Sequence, residues 1–135
     1  MLSLRIRTDG GSRGNPGPSG IGVVVEDALT KKVLEEHAKF LGVTTNNQAE
    51  YQAVILGLER CVALGATHVE VLADSELLIK QANGEYRVKN LDLQTRFREM
   101  KTLVAKIGRV TFKHVYREAN KAADALANQA MDASQ

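Results

Sequence analysis

Apolar and polar residues alternate in three segments of the first 43 residues, a pattern typical of β-strands that bury one face. These segments cover residues 1–8, 21–26 and 33–43, and a hairpin turn is expected at 27–32. Residues 9–20, between the first two segments, contain five glycines and both prolines of the chain, which indicates a turn-rich loop. The pattern predicts an antiparallel meander of three strands.

Beyond residue 44 the apolar spacing becomes that of helices. Between residues 51 and 62 apolar side chains recur at i, i+3, i+4 and i+7, and Gly65 follows where a helix often ends. We then expect a strand at 68–73, a short helix at 75–82, a helix at 91–107, a strand at 110–116 and a helix at 120–131. This order predicts an α/β fold with a five-stranded mixed sheet flanked by helices. Residues 1–135 are expected to form one domain with a short tail at its end.

Composition limits the possible classes of protein. Hydrophobic residues make up 44% of the chain and charged residues 25%, which is normal for a globular protein. The net charge of +2 is too small to indicate nucleic-acid binding by itself. A single cysteine excludes an internal disulfide, and no apolar stretch has the length of a membrane span. We therefore expect a cytoplasmic protein that does not bind membranes and needs no protein partner.

Four carboxylates fall at or near the ends of predicted elements. Asp9 follows the first strand, Glu50 lies in the first turn of the long helix, Asp74 joins a strand to a helix, and Asp124 lies one turn into the last helix. Each also has a purely structural interpretation. Asp9 suits an Asx turn, Glu50 a capping box, Asp74 a helix N-cap, and Asp124 a favourable place in the helix dipole. For each residue taken alone, both interpretations stay open.

Taken together, the four acids indicate a metal site. Element ends on one rim of an α/β sheet converge on ligands, and oxygen-only ligands suit Mg²⁺ or Mn²⁺. Two such ions about 4 Å apart clamp a phosphodiester for in-line attack by water. The three histidines, His37, His68 and His114, lie in predicted strands, and we interpret them as sheet-face residues.

Four motifs resemble those of type 1 ribonuclease H and occur in the same order: TDGGSRGNPG at residues 8–17, TNNQAE at 45–50, ADS at 73–75 and NKAADALA at 120–127. VKN at 88–90 matches a further short family segment. The resemblance covers essentially the whole chain. It implies the ribonuclease H-like fold and an endonuclease that cleaves the RNA strand of RNA–DNA hybrids, leaving a 3′-hydroxyl and a 5′-phosphate.

The resemblance also implies roles for individual residues. Asp9, Glu50, Asp74 and Asp124 would be the catalytic ligands of two Mg²⁺ ions, for which Mn²⁺ can substitute. Contacts to the hybrid would come from Gly10, Gly11, Ser12, Asn15, Asn46, Asn47, Glu76, Lys80 and Arg117. The two glycines would let the RNA backbone come close, and the loop and asparagine side chains would reach the minor groove, where 2′-hydroxyls distinguish RNA from DNA. Helix capping is the alternative role for Asn46 and Asn47.

The chain departs from the family pattern in four ways. Glu76 and Lys80 stand where some relatives have glutamines. The short connector after residue 83 replaces an extra helix and basic protrusion, so we expect weaker, more salt-sensitive binding that depends on Lys80, Arg87 and Lys89. No N-terminal hybrid-binding module is expected. Arg117 is the candidate to replace a loop histidine of many relatives, in a phosphate-directed role; an exposed salt bridge to a nearby acid is the alternative.

Three other functions are weighed against this one. The same chemistry with relaxed substrate choice would include double-stranded RNA, because an A-form-like minor groove is common to both duplexes. A non-catalytic hybrid-binding module has little reason to crowd four acids against a polyanion. A regulatory Mg²⁺ or Ca²⁺ binder is disfavoured because the closely spaced acids of an EF-hand are missing from the sequence.

Overall fold

The fold is a five-stranded mixed sheet with helices on both faces. The computed structural model describes residues 1–134. The elements in chain order are β1 Ser3–Ser12, β2 Gly17–Asp27, β3 Val33–Thr44, α1 Asn46–Leu64, β4 His68–Ala73, α2 Glu76–Ala82, α3 Leu91–Ile107, β5 Arg109–His114, a 3₁₀ turn Arg117–Ala119, and α4 Lys121–Ala133. The strand order is β3-β2-β1-β4-β5, antiparallel among the first three and parallel from β1 to β5. The predicted fold class is confirmed.

Burial alternates along β1 and is nearly continuous along β2. Leu4 and Ile6 in β1 are buried toward α1, whereas Arg5 and Arg7 point to the opposite face and are only partly covered. β2 is buried on both faces because α1 packs on one side of it and α4 on the other. α3 packs mainly against α1. The core therefore has two layers, one on each side of β1 and β2.

Two glycines set how closely the helices approach the sheet. A Cβ on Gly22 of β2 would lie 2.1 Å from the carbonyl oxygen of Ala123 in α4, and a Cβ on Gly10 of β1 would lie 2.4 Å from the backbone of Ala49 in α1. Any side chain at either position would push the helix away. Close contact brings α1 and α4 onto opposite faces of the sheet at the same end of β1.

The glycine-rich stretch is more regular than the sequence predicts. β1 and β2 continue through most of it, and Gly10, Gly11 and Ser12 pair with Ile21, Gly20 and Ser19. Only residues 13–16 form the connection between the strands. The predicted loop at 9–20 is wrong because strand pairing across a neighbouring chain segment overrides the local turn preference of glycine.

The remaining boundaries agree with the sequence to within a few residues. Gly65 ends α1 with a left-handed φ of 83°, as the pattern predicts. Thr45 and Ser75 cap α1 and α2 by accepting backbone hydrogen bonds from Gln48 and Leu78. α4 remains helical to Ala133, into the segment expected to be a tail, and Gln135 lies outside the described residues. Within residues 1–134, none of the helices combines the length and apolarity needed to cross a bilayer.

Candidate active site

The four predicted carboxylates meet at one end of β1. Thr8 pairs with Ala73, so Asp9 and Asp74 lie side by side just beyond the last parallel pair of β1 and β4. Asp9 also pairs with Gly22, over which the first turn of α4 is packed, and this turn carries Asp124. Glu50 reaches the same place from α1, because Gly10 allows the start of that helix to lie against β1. Glu50, Asp9 and Asp74 border one small gap between these elements.

The structural alternatives fail for three of these acids. Asp9 lies within a paired strand, so it makes no Asx turn. Thr45 is the N-cap of α1, which places Glu50 beyond the capping-box position, and the N-cap after Asp74 is Ser75. Asp124 does lie in the first turn of α4, where the helix dipole favours an acid. Since capping and turn formation do not require the first three carboxylates, their convergence needs another reason.

Burial and mutual repulsion make the cluster electrostatically unfavourable. Burial is the main cause that raises the pKa of Asp9 to about 8, and the charges of Asp74, Asp124 and Glu50 add to it. A hydrogen bond between the Asp9 and Asp124 carboxyl groups acts in the same direction, since it requires one of them to be protonated. Burial also raises the pKa of Glu50, although a hydrogen bond from Ser75 opposes the increase. Such a cluster favours either protons or metal cations.

The donor set fits hard divalent cations. Glu50 Oε2 is buried without a hydrogen-bond partner among the described residues, and a bound cation would satisfy it. Within residues 1–134, no group of three or more His, Cys, Asp or Glu side chains is arranged to hold a metal ion by itself. This is compatible with Mg²⁺, which keeps several waters and takes only one or two carboxylates together with substrate phosphate. The four carboxylates therefore suit open Mg²⁺ sites, whereas Zn²⁺ prefers His and Cys ligands.

Asn120 holds two of the acids in place. Its side chain is fully buried, and Nδ2 donates a 2.9 Å hydrogen bond to the carbonyl oxygen of Thr8, the residue before Asp9. The backbone carbonyl oxygen of Asn120 accepts a hydrogen bond from the backbone N–H of Asp124. Asn120 thus connects the end of β1 to the start of α4. The sequence places Asn120 only at a helix start, and its role in joining the two elements depends on contacts that are distant along the chain.

A cavity of about 470 Å³ opens beside the cluster, with Asp9, Asp74 and Asp124 in its wall. Arg117 lies at its rim with its Nη2 3.6 Å from Asp124 Oδ1, so it pairs with a nearby acid while 77% of its side chain stays exposed. Arg7 donates a 3.1 Å hydrogen bond to the carbonyl oxygen of Ala119 and so steadies the 3₁₀ turn that carries Arg117. The rim therefore presents an exposed side chain from a base that is held by a hydrogen bond.

The cavity also contains residues to which the sequence assigns no role. His114 ends β5 and lines the cavity together with the exposed Tyr116, whose ring meets it edge-on at a centroid distance of 5.3 Å. The interpretation of His114 as only a sheet-face residue is therefore incomplete. Arg13 lines the cavity from the connection between β1 and β2. The sequence signal that could identify Arg13 is its place in the first motif, TDGGSRGNPG. Only the fold shows that it lies beside the acids.

Three of the predicted substrate contacts lie in one hydrogen-bonded loop system. Asn46 Oδ1 accepts a 2.8 Å hydrogen bond from the backbone N–H of Ser12, and the backbone N–H of Asn46 donates to Asn15 Oδ1 at 3.2 Å. Thr45, not either asparagine, caps α1. A Cβ on Gly11 would meet only Met131 Cε, at 4.0 Å, whereas a Cβ on Gly10 would collide with the backbone of α1. Helix packing is thus a further reason for glycine at position 10, and both glycines line the cavity, so close approach of the RNA backbone to them stays a prediction.

A second, polar groove of about 640 Å³ lies near the first cavity and shares the same loop system. Asn15 and Asn47 line it, and so does Arg96, which is held by Gln48 Oε1 at 3.0 Å and by Glu99. The predicted contacts Glu76 and Lys80 lie elsewhere. They pair with each other at 2.9 Å on the surface of α2, and within the described residues they line neither of these two cavities.

Comparisons with known proteins identify the family. A family model described as "Reverse transcriptase-like" matches residues 7–130. The bifunctional protein Rv2228c of Mycobacterium tuberculosis is 46% identical over 98% of this chain, and the chain spans only 36% of the length of that protein. The solved N-terminal RNase H domain of Rv2228c superposes with a TM-score of 0.96 at 44% identity, covering 99% of this chain and 96% of that domain.

Two further solved structures agree. RNase H1 from Halobacterium salinarum has a TM-score of 0.93 at 36% identity, covering 97% of this chain and 98% of that one. LC11-RNase H1, isolated from compost by a metagenomic approach and solved with an RNA/DNA hybrid, has a TM-score of 0.92 at 41% identity, covering 97% of this chain and 98% of that one. On the family model, these relatives and the motifs together, this chain belongs to the ribonuclease H family.

Proposed function

We propose that this chain is an endoribonuclease that hydrolyses the RNA strand of RNA–DNA hybrids, leaving a 3′-hydroxyl and a 5′-phosphate. The observation that carries the proposal is the convergence of Asp9, Glu50, Asp74 and Asp124, three of which have no capping or turn role. A relative of 41% identity has been solved with an RNA/DNA hybrid. The proposal also takes residues 1–135 as one domain in the cytoplasm, which suits the buried free thiol of Cys61.

The four carboxylates would hold two Mg²⁺ ions, with Mn²⁺ as a substitute. When bound, such ions activate the attacking water and stabilise the departing 3′ oxygen. The side chains contribute before that step. Gly10 and Gly22 let α1 and α4 lie close against the sheet, and Asn120 fixes Asp124 relative to Asp9. Burial and repulsion raise the pKa of Asp9 and of Glu50, so cations would have to displace protons there, and metal binding should become stronger as the pH rises. The fold thus holds the four acids close together before any cation binds, and their electrostatic repulsion destabilises the folded state.

Substrate contacts are proposed on both sides of the loop system. Ser12 and Asn46 would face the scissile strand, while Asn15 and Asn47 lie where the polar groove begins. The groove offers hydroxyl, amide and guanidinium groups, which suit the sugar and phosphate atoms of a second strand. Glu76 and Lys80 would contribute less than the resemblance implies, because they pair with each other on α2.

Arg117 is proposed to contact a phosphate near the cut. Its guanidinium is exposed and pairs only loosely with Asp124 at 3.6 Å, so a cation bound to Asp124 would leave it free to turn toward the nucleic acid. An Arg117→Ala variant should lower the turnover number by about ten-fold, the effect of losing one charged hydrogen bond. An unchanged turnover number would mean that Arg117 is only a surface ion-pair partner.

The decisive experiment uses end-labelled RNA–DNA hybrid, RNA duplex, single-stranded RNA and DNA duplex, each with Mg²⁺ or with chelator. Cleavage confined to the RNA of the hybrid, and lost with chelator, supports the proposal. Equal cleavage of RNA duplex would favour an enzyme of relaxed choice, because both substrates present 2′-hydroxyls in the minor groove. No cleavage by folded protein in Mg²⁺ or Mn²⁺ would contradict the enzyme and favour a hybrid-binding module.

A further inference from the structure

Helix α4 forms one wall of the carboxylate cavity through a polar stripe. Asp124, Asn128 and Asp132 recur every four residues and therefore share one face of the helix. Asp124 and Asn128 line the cavity, and the amide of Asn128 donates to the carbonyl oxygen of Asp124 at 3.1 Å. Asp132 lies at the end of the stripe, about 12 Å along the helix axis from Asp124 at 1.5 Å per residue.

Each end of the stripe is paired with one arginine that belongs to another element. Arg117 approaches Asp124, as described above. At the other end, Arg13 Nη2 lies 2.7 Å from Asp132 Oδ1 and 3.4 Å from Asn128 Oδ1. The backbone of Arg13 is anchored, since its N–H donates to the carbonyl oxygen of Pro18 at 2.8 Å. Arg13 therefore has a fixed base and a side chain that reaches across the rim of the cavity.

The pair between Arg13 and Asp132 is easily exchanged. The Asp132 side chain is 67% exposed and that of Arg13 36%, and ion pairs this exposed add little to stability. A phosphodiester accepts two parallel hydrogen bonds from a guanidinium and competes well with one exposed carboxylate. The site also needs such cations, because four acids would otherwise repel a polyanion at the point of cleavage.

We propose that Arg13 binds a backbone phosphate of the nucleic acid at the side of the carboxylate cavity opposite Arg117, and that Asp132 holds Arg13 when no nucleic acid is bound. The proposal rests on the function proposed above and extends it to a contact outside the four carboxylates. With roughly 12 Å between the two acids that hold them, Arg13 and Arg117 meet different phosphates. Asp132 competes with phosphate for the same guanidinium.

The test measures binding of a fluorescent RNA–DNA hybrid by anisotropy in Mg²⁺ at several salt concentrations. All variants carry Asp9→Asn so that no cleavage occurs. Arg13→Ala should weaken binding about three- to ten-fold at low salt and reduce the slope of log Kd against log salt by about 0.8, the contribution of one phosphate. Asp132→Asn should tighten binding about two-fold, because Arg13 loses its competing partner.

Matched controls separate this contact from general charge effects. Arg109→Ala removes an exposed cation at the far end of β5, and Glu59→Gln removes an exposed acid of α1. Both should leave the salt slope unchanged. Arg13→Ala and Arg117→Ala should be additive when combined, since contacts more than about 10 Å apart act independently. Thermal melting of each variant checks that all of them are folded.

Two results with the Arg13 and Asp132 variants would overturn the proposal. One is a salt slope for Arg13→Ala equal to that of Arg109→Ala, and the other is weaker binding by Asp132→Asn, which would make the ion pair a support for the loop. Failure of the proposed function looks different. If protein without Asp9→Asn cleaves no hybrid but Arg13→Ala still lowers the slope, the contact stands and the enzyme does not. Loss of all hybrid binding in the Asp9→Asn background would overturn the contact.

Discussion

One face of β1 carries two kinds of charged site, four residues apart. Arg5 donates to Glu70 at 2.7 Å and to Glu26 at 3.4 Å, so the acids on either side of it are neutralised. Asp9, on the same face of the same strand, pairs with Gly22 of β2. On its other side lies Asp74, the residue that follows β4. The first site is a ladder of opposite charges. The second is a cluster of like charges that the fold holds together.

The contrast separates acids whose charge is compensated from acids that are proposed to serve chemistry. In the ladder, Glu26 is buried but bridges Arg5 and Arg7, as buried charges usually require. In the cluster, burial raises the pKa of Asp9 and Glu50, and Arg117 is the one cation paired with it among residues 1–134. Proteins keep such uncompensated acids where function needs them. Substitutions at the two sites should therefore have opposite effects on activity and stability.

Asp9→Asn should abolish most of the activity. Removing one proposed cation ligand that is positioned at the scissile phosphate should lower turnover on RNA–DNA hybrid by about 10²–10³-fold or more. The measurement is initial cleavage rate in Mg²⁺, with Glu59→Gln in exposed α1 as the charge-matched control. Activity within a few-fold of wild type in Asp9→Asn would mean that this carboxylate is not a required ligand.

Without cations, Asp9 should make the protein less stable as the pH rises. The pKa of Asp9 is about 8 in the folded protein and near 3.8 ordinarily, so the folded state prefers the protonated form. This contribution is full below pH 3.8 and is lost progressively as the pH rises to about 8. In chelator, wild type should lose free energy of unfolding relative to Asp9→Asn over this window. Urea unfolding at several pH values measures the difference, and parallel curves would contradict it.

Glu26→Gln should show the reverse behaviour. Loss of the buried charge leaves Arg7 without its acidic partner and Arg5 with Glu70 alone, and should cost about 1–3 kcal/mol of unfolding free energy. Turnover should stay within about two-fold, because Arg7 keeps its hydrogen bond to Ala119 and Asp9 keeps its neighbours. Urea unfolding measures the loss of unfolding free energy, and the cleavage assay measures turnover. The more exposed Glu70→Gln is the control, with a smaller loss of stability expected.

Glu35→Gln should have the smallest effect. Hydrogen bonds from Arg60 and then His37 lower the pKa of Glu35 to about 2, so its contribution is present above pH 4.5 and is lost as the pH falls through about 2. The pair lies at the surface with 22% of the Glu35 side chain and 36% of the Arg60 side chain exposed, and the melting temperature at neutral pH should fall by no more than about 3 °C. A larger fall that persists at pH 2 would show that packing, not charge, is responsible.

Local signals in the sequence predicted most of the elements. The strand at 68–73 and the helix at 91–107 have the bounds that their periodicity predicts. Gly65 ends α1 because glycine adopts the left-handed backbone conformation with the least steric strain. Periodicity and caps act within a few residues, so a single sequence is enough to read them. The order of the four motifs and their resemblance to those of ribonuclease H likewise predicted that the four acids lie together.

Contacts between distant segments were not readable in this way. The stretch at 9–20 looks like a loop, yet Gly10 and Gly11 extend β1 because β2 lies beside them. The sequence suggests ligand approach at Gly10, and only the structure shows that glycine is also needed there for the contact with α1 that delivers Glu50. Asn120 and Arg13 gained their roles from partners more than 100 residues away along the chain, Thr8 and Asp132.

The sequence by itself determined the identity and order of the elements and the chemistry of the four acids, because both depend on residue type and short spacing. Only the tertiary structure decided which charges are paired and which are left uncompensated. Strand register set Arg5 between Glu26 and Glu70 but set Asp9 between Gly22 and Asp74. Electrostatic energy depends on distance and burial, and neither exists until the strands and helices pack.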